Sequence, residues 1–308
     1  MKEYTRQFTS LVAFLLFAGT MALGQTAQIT GQVTDASGAR IPGASVTIKN
    51  AATGIASRTV TTTVGYYTLT ALPPGNYAIT VEKTGFGTTT RSGITLNVAQ
   101  SARLDVTLQV SGQVQRVSVT GTTAPLLQSE SPTLGTVIGS QQVVELPLNG
   151  RNFLQLATLT PGALSGGTGF FLPNNIIRVN GMDASNTNYE IDGIMTRDQL
   201  FSGTTMLPPP DAIQEFKVQS NVLDSRYGLA GAVVSVQLKS GTNNLHGDAY
   251  EFLRNDKLDG RNFFDLSKGE LRQNQFGFTL GGPIKKDQTF FFGDYQGTRV
   301  RRGITFDS

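Results

Sequence analysis

Apolar and polar residues alternate at period two in six short segments, 29–34, 44–49, 58–63, 66–69, 77–83 and 103–110, with turn residues between them. Successive side chains of a strand point to opposite faces of a sheet, so this pattern writes one buried and one solvated face. A helix, with its 3.6-residue period, cannot use it. Asp35-Ala36-Ser37-Gly38, Pro42-Gly43 and Pro73-Pro74-Gly75-Asn76 break the segments where turns belong. Six or seven such strands within residues 28–110 predict a sandwich of two sheets around one core.

The chain has 308 residues, room for two ordinary domains, and 39% hydrophobic content with 15% charged residues excludes both a disordered chain and a coiled coil. A net charge of +3 without a Lys or Arg stripe speaks against a nucleic-acid partner. Cysteine is absent, which removes disulfides, thiolate metal sites and Cys nucleophiles together. His246 is the one histidine, and no Gly-x-Ser-x-Gly elbow accompanies it. No catalytic residue, metal ligand set or cofactor site is therefore expected, and the chain reads as a non-enzyme.

Lys2 and Arg6 precede the wholly apolar residues 11–17, and Ala22-Leu23-Gly24 supplies small residues two apart before Gln25. This is the pattern of a secretory signal peptide over residues 1–24. Beyond it no stretch approaches the roughly 20 consecutive apolar residues of a membrane-spanning helix. Any membrane passage has to be made by strands.

Three regions follow. Residues 25–110 hold the sandwich. Residues 111–245 mix short helices, 140–146 and 152–159, with strands at 176–179, 189–192, 215–219 and 232–238, and predict a small α/β or α+β unit. The last 63 residues carry 19 of the 47 charged side chains and 11 of the 26 aromatics, a shift that marks a boundary near 246. In Gln275-Phe276-Gly277-Phe278-Thr279-Leu280-Gly281 every second residue is bulky and apolar, and Phe291, Gly293 and Tyr295 continue such a face. Strands with lipid on one side and a wet lumen on the other need this alternation, and so does an amphipathic sheet on a soluble core.

Gly31-Gln32-Val33-Thr34-Asp35, Ile41-Pro42-Gly43-Ala44-Ser45-Val46, Gly65-Tyr66-Tyr67 and Leu72-Pro73-Pro74-Gly75-Asn76-Tyr77 resemble the carboxypeptidase regulatory-like, or transthyretin-like, sandwich. That segment has neither His nor Cys and reads as non-catalytic. Further on, Leu146-Pro147-Leu148-Asn149-Gly150-Arg151-Asn152-Phe153, Ile177-Arg178-Val179-Asn180-Gly181, Tyr189-Glu190-Ile191-Asp192-Gly193, Ala212-Ile213-Gln214-Glu215-Phe216-Lys217-Val218 and Ser225-Arg226-Tyr227-Gly228 occur in order. Together they resemble the plug of TonB-dependent outer-membrane receptors, in the Oar-like subgroup whose plug follows a carboxypeptidase regulatory-like domain.

The resemblance implies a mainly β chain: signal peptide 1–24, transthyretin-like sandwich 25–110, linker 111–122, mixed α/β plug 123–245, and the first strands of an incomplete transmembrane β-barrel at 246–308. A barrel of about 22 strands needs several hundred residues, so the chain is expected to be the front part of a receptor. Implied partners are a TonB-type periplasmic energy-coupling protein, outer-membrane lipid and a large ligand of unknown identity. The implied location is the outer membrane, with the N-terminal domain facing the periplasm. Force from the inner-membrane proton gradient arrives through the partner protein, so no cofactor is implied.

Arg116, Val117, Ser118, Val119 and Thr120 form a short β-prone segment at the place where the family carries its TonB box. Such a box pairs edge to edge with its partner, so backbone hydrogen bonds supply the affinity and the sequence is loosely constrained. A plain linker strand is the alternative. Arg178 and Asp192 fall in plug-core positions and are expected to be structural. Asp183-Ala184-Ser185-Asn186-Thr187-Asn188 has oxygen-bearing side chains but lacks the Gly and Glu of a calcium loop, which points to a solvated turn. Gly281-Gly282-Pro283-Ile284-Lys285-Lys286 reads as a turn between barrel strands, and Arg299, Arg301 and Arg302 as a basic cluster in a solvated loop or against lipid headgroups.

A second class stays open at this stage: a secreted or periplasmic non-catalytic binding module, adhesive or carbohydrate-binding. It predicts a soluble monomer with its last 63 residues folded in water.

Overall fold

The computed structural model describes residues 26–110, 117–120, 134–165, 176–198, 200–222, 227–228, 231–261 and 268–303. The expected signal peptide, Arg116, and Ser225 and Arg226 lie outside them.

The first unit is a sandwich of β1 (Ala27–Asp35), β2 (Ser45–Asn50), β3 (Ala56–Val60), β4 (Tyr66–Leu72), β5 (Gly75–Glu82), β6 (Thr89–Leu96), β7 (Ser101–Arg103), β8 (Val106–Leu108) and β9 (Val117–Thr120). One sheet runs β4-β1-β7, with β8 also on β1; the other runs β3-β2-β5-β6-β9. Ala27, Ile29 and Val33 of β1 meet Val46 and Ile48 of β2 and Ile79 and Val81 of β5 in one core. Burying each of the larger of these side chains contributes about 2 kcal/mol.

The predicted strand at 103–110 is two strands in the structure. Both β7 and β8 pair in parallel with β1, but Asp105 leaves the ladder between them to accept a hydrogen bond from the Gln32 backbone N–H at 2.9 Å. Beside this break the Tyr67 hydroxyl donates to the Leu104 carbonyl at 2.6 Å, and burial pushes its pKa up. A methyl group on Gly31 would lie 1.9 Å from that carbonyl oxygen. Gly31→Ala is therefore expected to destabilise the sandwich by about 2 kcal/mol, as overpacking typically does, read as an earlier midpoint in urea. β6 has no counterpart among the predicted strands, because its first four residues are all half-buried and only its end alternates.

The middle unit has a five-stranded sheet in the order β10 (Leu134–Gly139), β15 (Ile213–Ser220), β16 (Ala232–Leu238), β13 (Thr187–Ile191), β14 (Ile194–Met195). Helix α1 (Ser140–Glu145), the 3₁₀ segment Phe153–Leu159 and the pair β11 (Ala163–Ser165) and β12 (Ile177–Val179) accompany it. Val143, Phe153, Leu154, Ile177 and Val179 share a core with Ile138, Phe216, Val218, Val234 and Tyr189 of the sheet. Phe153 meets Phe216 edge to face at 5.4 Å. On the opposite face Lys217, Ser235 and Glu190 stand in register across three strands and are buried as well.

The third unit is an antiparallel sheet of β17 (His246–Asn255), β18 (Leu271–Lys285) and β19 (Thr289–Arg302). Register places Phe276, Phe278, Leu280, Phe291 and Tyr295 on one face, and Asp248, Tyr250, Gln275, Thr279 and Gln296 on the other. The predicted turn at Gly281 to Lys286 is corrected: β18 runs through Lys285 and the chain reverses at 286–288. Gly281 and Gly282 are needed inside the strand, since added methyl groups would meet the His246 ring at 2.8 Å and Leu245 at 3.0 Å. Arg299, Arg301 and Arg302 likewise sit on β19 and not in a loop. No helix among the described residues is long and apolar enough to cross a membrane.

Candidate functional site

The site is the seam along which the middle unit meets the inner face of the third. Asn149-Gly150-Arg151 makes a single 3₁₀ turn in which Gly150 and Arg151 both take left-handed backbone angles, φ 67° and 57°. The Asn152 side chain then accepts from the Leu154 N–H at 3.0 Å and starts the next helical segment, whose Phe153 and Leu154 are anchored in the core. Held from behind in this way, Asn149, Gly150 and Arg151 reach toward the third unit.

All three make contact. Arg254 donates to the Asn149 side-chain oxygen at 2.9 Å, and the Gln275 amide donates to the Gly150 carbonyl at 3.3 Å. The Arg151 guanidinium lies over the rings of Tyr250 and Phe252, 4.5 and 4.1 Å from their centroids, and forms an ion pair with Asp211. Asp211 is 6% exposed, in a 3₁₀ turn opened by Pro209 and Pro210. A planar guanidinium can stack on aromatic rings and bind a carboxylate edge-on at once, which an ammonium cannot. A longer pair, Lys239 to Asp248 at 3.9 Å, extends the seam.

A second seam joins the sandwich to the middle unit. The turn after β6 is closed by Gln100, whose side-chain oxygen accepts from the Asn97 N–H at 2.8 Å, with Ala99 left-handed at φ 50°. Glu215 accepts from the Val98 N–H, and Lys217 donates to the Ala99 carbonyl at 3.3 Å. Burial raises the Glu215 pKa to about 7, against the opposing pull of the Val98 N–H and of Lys217; burial also pushes Lys217 down. At the third corner, Asn243 donates its backbone N–H to the Ala52 carbonyl at 3.0 Å and exchanges two 2.8 Å hydrogen bonds with Asp287. The β18–β19 turn therefore lies at the sandwich end of the third sheet.

The residues singled out from sequence fall elsewhere. Val117, Ser118, Val119 and Thr120 are β9, paired in parallel with β6 from Thr89 to Ser92 as the last strand of its sheet. Asp192, left-handed at φ 48°, accepts from the Gln237 amide at 2.7 Å and the Leu238 N–H at 2.9 Å, tying the β13–β14 turn to β16; burial raises its pKa. Arg178 on β12 lies close enough to Asp183 to help hold that carboxyl below its ordinary range, after the stronger effect of the Ser185 N–H and hydroxyl. Asp183 caps the turn Ala184–Asn186, and no metal-holding cluster of His, Cys, Asp and Glu occurs among the described residues. The His246 ring Nδ1 donates to the Asn244 carbonyl at 3.0 Å, and the ring stacks on Phe292.

Residues 28–109 match the family model of the carboxypeptidase regulatory-like domain, and residues 237–308 match that of an outer membrane β-barrel domain. The TonB-dependent transporter Oar of Myxococcus xanthus is 27% identical over 98% of this chain. The chain is related to the TonB-dependent outer-membrane receptors. It spans 30% of the length of Oar, the region that aligns with this chain. A second receptor, the probable TonB-dependent siderophore receptor PirA of Acinetobacter baumannii, is 29% identical over 41% of the chain and 18% of its own length. The crystal structure of PirA overlaps 53% of this chain and 24% of that one at 24% identity, with a TM-score of 0.40. These receptor and transporter relatives, together with the barrel match, support an outer-membrane location for this chain.

Proposed function

We propose that the chain supplies the coupling and gating part of a receptor for active uptake of a large nutrient across the outer membrane. In this reading residues 1–24 direct export, the sandwich faces the periplasm, residues 123–245 form the plug, and residues 246–308 begin the barrel. The observation that carries it is the Arg151 seam: the middle unit is bonded to the polar face of a sheet whose other face is aromatic and aliphatic. A plug held against the lumen wall of a barrel requires that arrangement. The relative PirA is named for siderophores, which makes an iron chelate the first ligand to try.

Coupling is assigned to β9. Among the described residues β9 is the last strand of its sheet, with one edge on β6 and no strand on the other, so a strand of the periplasmic energy-coupling protein can add to it. Proline removes a backbone donor, and neighbouring residues of a strand donate to opposite edges. Val117→Pro and Ser118→Pro, compared by titration with the periplasmic domain of a TonB-type protein, are expected to differ: the one whose N–H faces outward weakens binding by more than tenfold. Equal, undiminished affinity in both variants would assign the contact to another segment.

A further inference from the structure

We propose that Arg272, Arg299 and Arg301 form a binding site for phosphorylated lipid headgroups on the outward face of the third sheet. The inference rests on the reading of that sheet as membrane-embedded. In the β18–β19 register Arg272 stands directly opposite Arg301, and Asn274 opposite Arg299. Like charges placed opposite each other on one face of a strand pair repel, so the arrangement calls for an anion between them. Glu270 meets Arg272 at 3.3 Å in an exposed pair, whereas Arg299 and Arg301 have no carboxylate partner among the described residues.

The position selects the kind of anion. The same face continues from the arginines into Phe276, Phe278, Tyr295 and Leu280, and the Arg299 guanidinium lies 5.9 Å from the Phe276 ring. Arg299 stands four residues beyond Tyr295, roughly 13 Å along the strand, which puts the arginines at the interfacial edge of the aromatic band. The hairpin turn is at the sandwich end, so the arginines are at the other end, which is the cell-surface side when the sandwich is periplasmic. Guanidinium groups bind phosphate through paired N–H donors, and their apolar stems can run along the lipid-facing surface while the charges stay at the interface.

The test uses the full chain in flotation with vesicles of phosphatidylcholine alone or doped with bisphosphorylated lipid A. Near a membrane surface each basic side chain is worth about fivefold in binding, so the doped vesicles are expected to bind on the order of 100-fold more tightly. Arg272→Gln, Arg299→Gln and Arg301→Gln combined should remove that preference and leave binding to phosphatidylcholine unchanged. Lys285→Gln with Lys286→Gln, at the opposite end of the same hairpin, should leave the preference intact. Loss of equal size in the lysine variant would reduce the effect to net charge, and retention in the arginine variant would overturn the site outright. Displacement by inorganic phosphate alone would make the ligand a free anion and overturn the lipid assignment. Binding to phosphatidylcholine without preference for lipid A sinks only this site, whereas failure to bind either vesicle sinks the membrane reading beneath it.

Discussion

Arg151→Ala is expected to destabilise the contact between the middle unit and the third sheet by about 3 to 5 kcal/mol, the usual consequence of stranding one partner of a buried ion pair. Asp211 would be left 6% exposed with its guanidinium partner removed, and Tyr250 and Phe252 would lose the cation stacked on them. Arg151→Lys restores the charge but not the plane, so it should recover part of the loss. Asp211→Asn tests the pair from its other side and should cost less, because the amide can still accept a hydrogen bond. Hydrogen exchange resolves the site of the effect: the amides of 149–155 and of β17 should lose protection together, while those of the sandwich core keep theirs. Loss of protection throughout the chain would mean that Arg151 supports global folding and not a particular seam.

The sandwich was legible because β1, β2 and β5 alternate strictly, and the third sheet because Phe276, Phe278 and Leu280 are spaced by glycines and polar residues. β15 is recognised over 215–219 but extends further at both ends: both of its faces are covered, so its burial shows no period, and even Lys217 is 2% exposed. The seams were illegible for a different reason. Asn149-Gly150 announces a turn, but its partners Arg254 and Gln275 lie 105 and 125 residues further on, and no local pattern links them. The glycines at 281 and 282 misled because close approach to an aromatic ring and a chain reversal both favour glycine.

Stability of the sandwich against the middle unit is expected to fall as pH rises from about 4.5 to above 7, with Glu215 as the cause. Its carboxyl has an ordinary value of 4.5 and is raised to about 7 by burial beneath the turn at Val98 and Ala99. A raised carboxyl favours the folded, docked state fully below the unfolded value, and that contribution is lost as pH climbs through the folded value. The loss amounts to about 3 kcal/mol at pH 8, at 1.36 kcal/mol for each unit of difference. Glu215→Gln keeps an oxygen for the Val98 N–H but carries no charge, so it should flatten the profile and be the more stable protein at pH 8. Lys217→Met should act in the opposite sense, because it removes the cation that offsets the burial of Glu215 and drives that carboxyl higher still. Thermal midpoints of the three proteins between pH 4.5 and 8.5 decide the matter. Parallel profiles would move the titrating group elsewhere, whereas a flat profile for Glu215→Gln alone would make the sandwich a domain held more loosely at neutral pH than in acid.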